Sequence, residues 1–152
     1  MKNNKNQAFK EAVEQTEDVK NCYKTGLQAL GNHSKKIEVS DTSKCEGSVE
    51  IDRCVESKYP QDNRWDYTLS YKGKVYFVEV HSAETSEVSV VLKKLQWLKD
   101  WLNQQAPLIK KLSTDEPYCW IQSGRYNILK GSKQERLLAQ KGLKLISKLI
   151  LQ

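Results

Sequence analysis

The stretch from Arg64 to His81, RWDYTLSYKGKVYFVEVH, leaves this chain little conformational choice. Two runs rich in aromatic and β-branched residues flank Lys72-Gly73, and a glycine-containing two-residue link between such runs signals a β-hairpin. With Lys72 and Gly73 as the turn, Tyr71 faces Lys74, Asp66 faces Glu79 and Arg64 faces His81. Alternation along a strand then puts Trp65, Tyr67, Leu69, Tyr76, Val78 and Val80 on one face, the expected core. The other face carries Val75, Phe77, Thr68 and Ser70 near the turn and Arg64, Asp66, Glu79 and His81 at its far end.

Two carboxylates directly opposite each other, with Cβ atoms roughly 4.5–5.5 Å apart, destabilise a sheet unless something positive lies between them. A divalent cation is one answer. Neutralisation by Arg64 or a nearby lysine is another, and a register shifted by a bulge is a third.

The rest of the chain is arranged around the hairpin. Phe9, Ala12, Val13, Thr16, Val19, Lys20, Tyr23, Leu27 and Leu30 recur at helical spacing and predict one amphipathic helix ending near Gly31, with Glu17 at the edge of its stripe. Lys36 to Val39 forms a short strand candidate. Ser48 to Val55, SVEIDRCV, alternates and predicts a strand with Glu50 and Asp52 on one face. The loop SKYPQDN returns it antiparallel to the hairpin. Beyond His81, Thr85 or Ser86 caps a helix from about Glu87 to Gln104. Val88, Val91, Leu92, Leu95, Leu98 and Leu102 make its buried stripe. Lys93 and Gln96 lie on its polar arc, and Val90, Trp97 and Trp101 form a separate strip beside Lys94. Tyr118 to Gly124 predicts a further buried strand. Lys133 to Leu151 predicts a basic amphipathic C-terminal helix with Lys141, Lys144 and Lys148 on its outer ridge, a ridge that meets phosphates or simply faces water.

A chain of 152 residues suits one domain, 1–152, with residues 1–7 as a frayed start. Lysine and arginine number 25 against 19 acids, and the resulting charge of +6 tilts the expected partner toward an anion such as nucleic acid or a lipid surface. Cys22, Cys45, Cys54 and Cys119 show neither a C-x-x-C pair nor metal-finger spacing and are read as reduced thiols. The first residues lack an apolar signal core, and no run approaches the ~18 apolar residues of a membrane span. No membrane association is therefore expected, and the expected location is the cytoplasm. Without a glycine-rich phosphate loop or a serine nucleophile elbow, nucleophilic acyl chemistry has no support.

The predicted order is helix, three-stranded antiparallel meander, helix, strand, then the C-terminal helix over 133–151. An acid, Asp66, stands on the second strand of the meander, and Glu79-Val80-His81 gives acid, any residue, basic residue on the third. This resembles the PD-(D/E)XK nuclease-like superfamily over roughly residues 8 to 123, with His81 in place of the motif lysine. The resemblance implies an α/β fold of the α+β kind with a restriction-endonuclease-like core, and a metal-dependent nuclease or phosphodiesterase acting on DNA or RNA. Asp66, Glu79 and the Val80 carbonyl would hold Mg²⁺ or Mn²⁺, with His81 or Lys93 supplying the cationic catalytic group. Its alternative is an inactive domain of the same fold that binds nucleic acid or a protein, and a homodimer or protein partner would help select the target.

Overall fold

The computed structural model describes residues 7–128 and 130–152, so the expectation of a frayed start falls largely on residues outside the described ones. The chain forms α1 (Ala8–Glu14), β1 (Lys24–Thr25), β2 (Ile37–Val39), β3 (Cys45–Glu50), α2 (Ile51–Val55), β4 (Tyr67–Tyr71), β5 (Lys74–Ala83), α3 (Val88–Gln104), α4 (Pro107–Lys110), β6 (Ser113–Tyr126), α5 (Lys133–Gln140), β7 (Leu143–Ile146) and β8 (Leu149–Leu151). Two 3₁₀ segments, Glu17–Val19 and Gln28–Lys36, lie between α1 and β2.

The hairpin forms in the expected register. Lys72 and Gly73 both adopt positive φ, 51° and 78°, the mark of a two-residue type I′ turn, and Tyr71 pairs with Lys74 and Tyr67 with Val78. β3, β4 and β5 make the antiparallel meander; α3 then carries the chain to β6, which lies parallel to β5. The full sheet runs β1-β3-β4-β5-β6-β7, and a second sheet pairs β2 with β8 in parallel. The protein is thus a mixed α/β structure around one largely continuous sheet.

Both faces of that sheet are covered, where only one was expected to be core. Val75 and Phe77 join Phe9, Val13, Val91, Leu98 and Trp120 beneath the helices. Tyr67, Leu69 and Val78 pack on the opposite face with Leu30, Ile37, Leu149 and Leu151 from the second 3₁₀ segment and the small sheet. Trp65 sits in the helix-side core with Val75 instead of sharing the face of Tyr67, because the chain leaves strand geometry before Tyr67. α3 buries Val88, Val91, Leu95, Leu98, Trp101 and Leu102, the predicted stripe with Trp101 in place of Leu92.

Four further expectations give way. The single helix over residues 9–30 is α1, a 3₁₀ turn, β1 and a second 3₁₀ segment broken at Gly31. The strand over 48–55 stops at Glu50 and continues as α2. The C-terminal helix ends at Gln140; Gly142, at φ 76°, turns the chain into β7 and β8, and the lysine ridge dissolves, with Lys144 reaching Glu116 and Lys148 reaching Glu38. In both the N- and C-terminal segments, leucines at helical spacing also fit short strands that fill a core, so tertiary packing decides. Finally, Cys22 and Cys54 form a disulfide between the segment before β1 and α2, so these two are not the expected reduced thiols, whereas Cys45 and Cys119 are free and buried. Among the described residues, no helix is long and apolar enough to cross a membrane.

Candidate active site

Beyond Tyr67 the β4–β5 ladder ends, and two acids complete it with their side chains. The main-chain N–H of Asp66 donates to Glu79 Oε1 at 3.1 Å, and that of Val80 donates to Asp66 Oδ2 at 3.0 Å. Each acid is thereby fixed by the other's strand. Glu79 shares the face of β5 that carries Val75 and Phe77, so it points under α3 and is fully buried. Its burial is tolerable because Lys94, one and a half turns into α3, brings its ammonium 2.5 Å from Glu79 Oε2 and 3.7 Å from Asp66 Oδ1.

Charge in this enclosed place is unevenly held. Burial, reinforced by the neighbouring Glu79 charge, pushes the Asp66 carboxyl up to about 7, although Lys94 pulls the other way. Burial by itself would lower the Lys94 pKa; the Glu79 and Asp66 carboxylates outweigh it, and the ammonium is held above its usual range. His81 lies at the solvent edge, its Nδ1 3.6 Å from Glu79 Oε2 and its Nε2 2.6 Å from Glu87 Oε1. Glu79 first and then Glu87 raise its pKa, outweighing burial and the Lys94 charge, which pull it down. The His81 carbonyl accepts from Trp120 Nε1 at 2.9 Å, which anchors this end of β5 to β6.

Of the residues singled out from the sequence, Asp66, Glu79, Val80 and His81 converge at one end of the hairpin. Lys93 does not: it is exposed on another flank of α3, and its neighbour Lys94 takes the place beside the acids. Arg64 does not oppose His81 or cover the acids. Its Nε binds Asp52 at 2.8 Å and its Nη2 lies 3.7 Å from Glu56, so Asp52 is diverted from the hairpin pair. Lys94 and Glu87 are the site residues that the sequence reading missed. A lysine set within the Val90, Trp97, Trp101 strip was the available signal, since a cation on an otherwise apolar row needs a buried partner. Glu17, at the edge of its stripe, pairs with Lys20 and takes no part.

Among the described residues no group of three His, Cys, Asp or Glu side chains is arranged as a metal centre. The donors present still suit a hard divalent cation. Asp66 Oδ1 and Glu79 Oε2 are the carboxylate oxygens that bind no main-chain amide, and both already face a positive charge. Val80 directs its N–H at Asp66, and its carbonyl leaves the strand on that same edge. No family model matches the chain, and neither a curated protein nor a solved structure matches it.

Proposed function

We propose that the protein is a metal-dependent phosphodiesterase acting on DNA or RNA, built on a restriction-endonuclease-like core whose active-site cation comes from α3. One observation carries this reading: Lys94 meets both hairpin carboxylates, at 2.5 and 3.7 Å. The element order supports it, with an antiparallel meander, a crossing helix and a parallel strand following in the order that the PD-(D/E)XK resemblance implies. Asp66 Oδ1, Glu79 Oε2 and the Val80 carbonyl would hold Mg²⁺ or Mn²⁺. Such an ion supplies a bound water of lowered pKa and stabilises charge on a phosphate.

The chain's own residues do the positioning. The amides of Asp66 and Val80 fix one oxygen of each acid, leaving the other oxygen of each facing the Lys94 ammonium. Lys94 carries the positive charge that the motif places two residues beyond the second acid, where this chain has His81. His81, steadied by Glu87, can hold or release a proton at Nδ1 beside Glu79. The complete burial of Glu79 beneath the Lys94 ammonium favours a second reading, an inactive domain of the same fold that binds nucleic acid or a protein.

Labelled single- and double-stranded DNA and RNA incubated with Mn²⁺, Mg²⁺ or EDTA distinguish the two. The expected result is cleavage that requires metal, disappears in Glu79→Ala and falls about 10²–10⁴-fold in Lys94→Gln. Calorimetric Mn²⁺ binding should be lost in Asp66→Asn. No cleavage under any condition, or cleavage that survives Glu79→Ala, overturns the enzymatic reading in favour of the binding domain.

A further inference from the structure

The flank of α3 opposite Lys94 carries a second group of cations. At 3.6 residues per turn, Gln96 and Lys99 fall on the far side of the helix axis from Lys94, and Lys93 lies about 100° round from it toward them. With Ser89, Leu92 and Lys141, which follows the last turn of α5, they line a cleft of about 310 Å³, at the small end of the range for ligand pockets, about 300–1,000 Å³. Lys99 Nζ donates to the Lys141 carbonyl at 3.1 Å and stands 5.3 Å from the centre of the Tyr118 ring, so its stem is fixed while two of its three protons stay available.

Among the described residues, none of these three lysines forms an ion pair, unlike Lys144 and Lys148 further along the chain. The nearest acid along α3, Asp100, accepts instead from Gln96 Nε2 at 3.0 Å. Burial, and then the charge of Lys141, holds Lys99 below the usual lysine range. A half-buried ammonium that faces another cation is relieved by an anion.

We propose that this cleft binds a backbone phosphate of the nucleic-acid strand whose reacting linkage lies at Asp66, Glu79 and Lys94. The choice of nucleic acid as the source of the phosphate rests on the phosphodiesterase reading; the clustering of unpaired cations does not. A helix is about 10–12 Å across with its side chains, three to four steps of a stacked strand at about 3.4 Å each. A strand crossing the middle of α3, between Lys93 and Lys99, therefore reaches both flanks. The lysines touch phosphate alone, so the contact is independent of base sequence.

The test is fluorescence anisotropy of labelled single-stranded DNA in EDTA across a salt series. The full-length wild type is compared with the triple variant Lys93→Gln, Lys99→Gln, Lys141→Gln. A control triple, Lys24→Gln, Lys35→Gln, Lys111→Gln, removes the same charge from other exposed positions. Glutamine at 99 keeps a donor for the Lys141 carbonyl, and urea unfolding of each variant reports whether the fold is intact. The cleft triple should bind at least about tenfold more weakly, with a salt slope shallower by about 2, at ~0.7 per lost phosphate contact, while the control changes far less. Equal losses in the two triples, or a wild type that does not bind, overturn the proposal. Cleft-specific loss without any cleavage leaves the cleft standing and removes the enzymatic reading. Glu79-dependent cleavage without cleft-specific loss removes the cleft alone.

Discussion

Asp66 shows how a single side chain sets a trade between stability and chemistry. Its carboxyl titrates at about 7 in the folded protein, against an ordinary value of 3.8, so between those pH values the folded state holds a proton that the unfolded chain has released. Stability therefore declines as pH rises through that window, by roughly 1.4 kcal/mol per unit at the steepest and about 4 kcal/mol at most in total. His81 acts in the same direction: its pKa is raised, so its contribution is present in full below the unfolded value of 6.5 and fades as pH rises through the folded one. Asp66→Asn removes the first effect and leaves the second. Urea unfolding at pH 5 and pH 8 should show the variant gaining on the wild type at the higher pH while losing cleavage; parallel stability profiles would contradict this origin of the pH dependence. The acid pair was legible from the sequence because a strict period of two and a two-residue turn fix which residues face each other. Its cation was not. Lys93 and Lys94 differ by about 100° around α3, and only the seating of the helix on the sheet decides which of them reaches the carboxylates.

At the scale of elements, the meander and α3 follow from local pattern, whereas the segments around them follow from what they cover. The β4–β5 hairpin and the α3 stripe each carry a long, consistent period, and both lie within a residue or two of expectation. α1, the 3₁₀ segments, β7 and β8 are short, and their apolar residues are spaced for whichever surface lies beneath them. The Cys22–Cys54 link belongs with this second group, since a separation of 32 residues has no spacing signature of its own. It joins the segment preceding β1 to α2, beside Asp18, whose buried carboxylate accepts from Tyr59 and Trp101. Closing a loop of that length stabilises the fold by about 3–4 kcal/mol. Replacing both cysteines with alanine should lower the urea-unfolding free energy by that amount. Alkylation of the native wild type under non-reducing conditions should label neither Cys22 nor Cys54. Labelling of both, with no change in stability on replacement, would count against the bond.

For the molecule as a whole, the small β2–β8 sheet closes the face of the main sheet that the helices leave open. Leu149 and Leu151 are buried there against the cluster that holds Leu69 and Val78. Deleting residues 148–152 should cost about 3–6 kcal/mol, from two leucine side chains at about 1.5–3 kcal/mol each. Urea unfolding measures the loss, and increased binding of an apolar dye reports the uncovered face. The exposed Lys148–Glu38 pair removed with them contributes little. Because β2 lies in the first third of the chain and β8 at its last residues, this pairing joins regions that emerge from the ribosome far apart in time. The helix-side core has nearly all its residues by Leu143, but the opposite face waits for the final leucines. Such a late, long-range closure slows folding. During synthesis, Tyr67, Leu69 and Val78 would stay open to solvent until Leu149 and Leu151 have emerged, so the nascent chain is exposed to association over that whole interval.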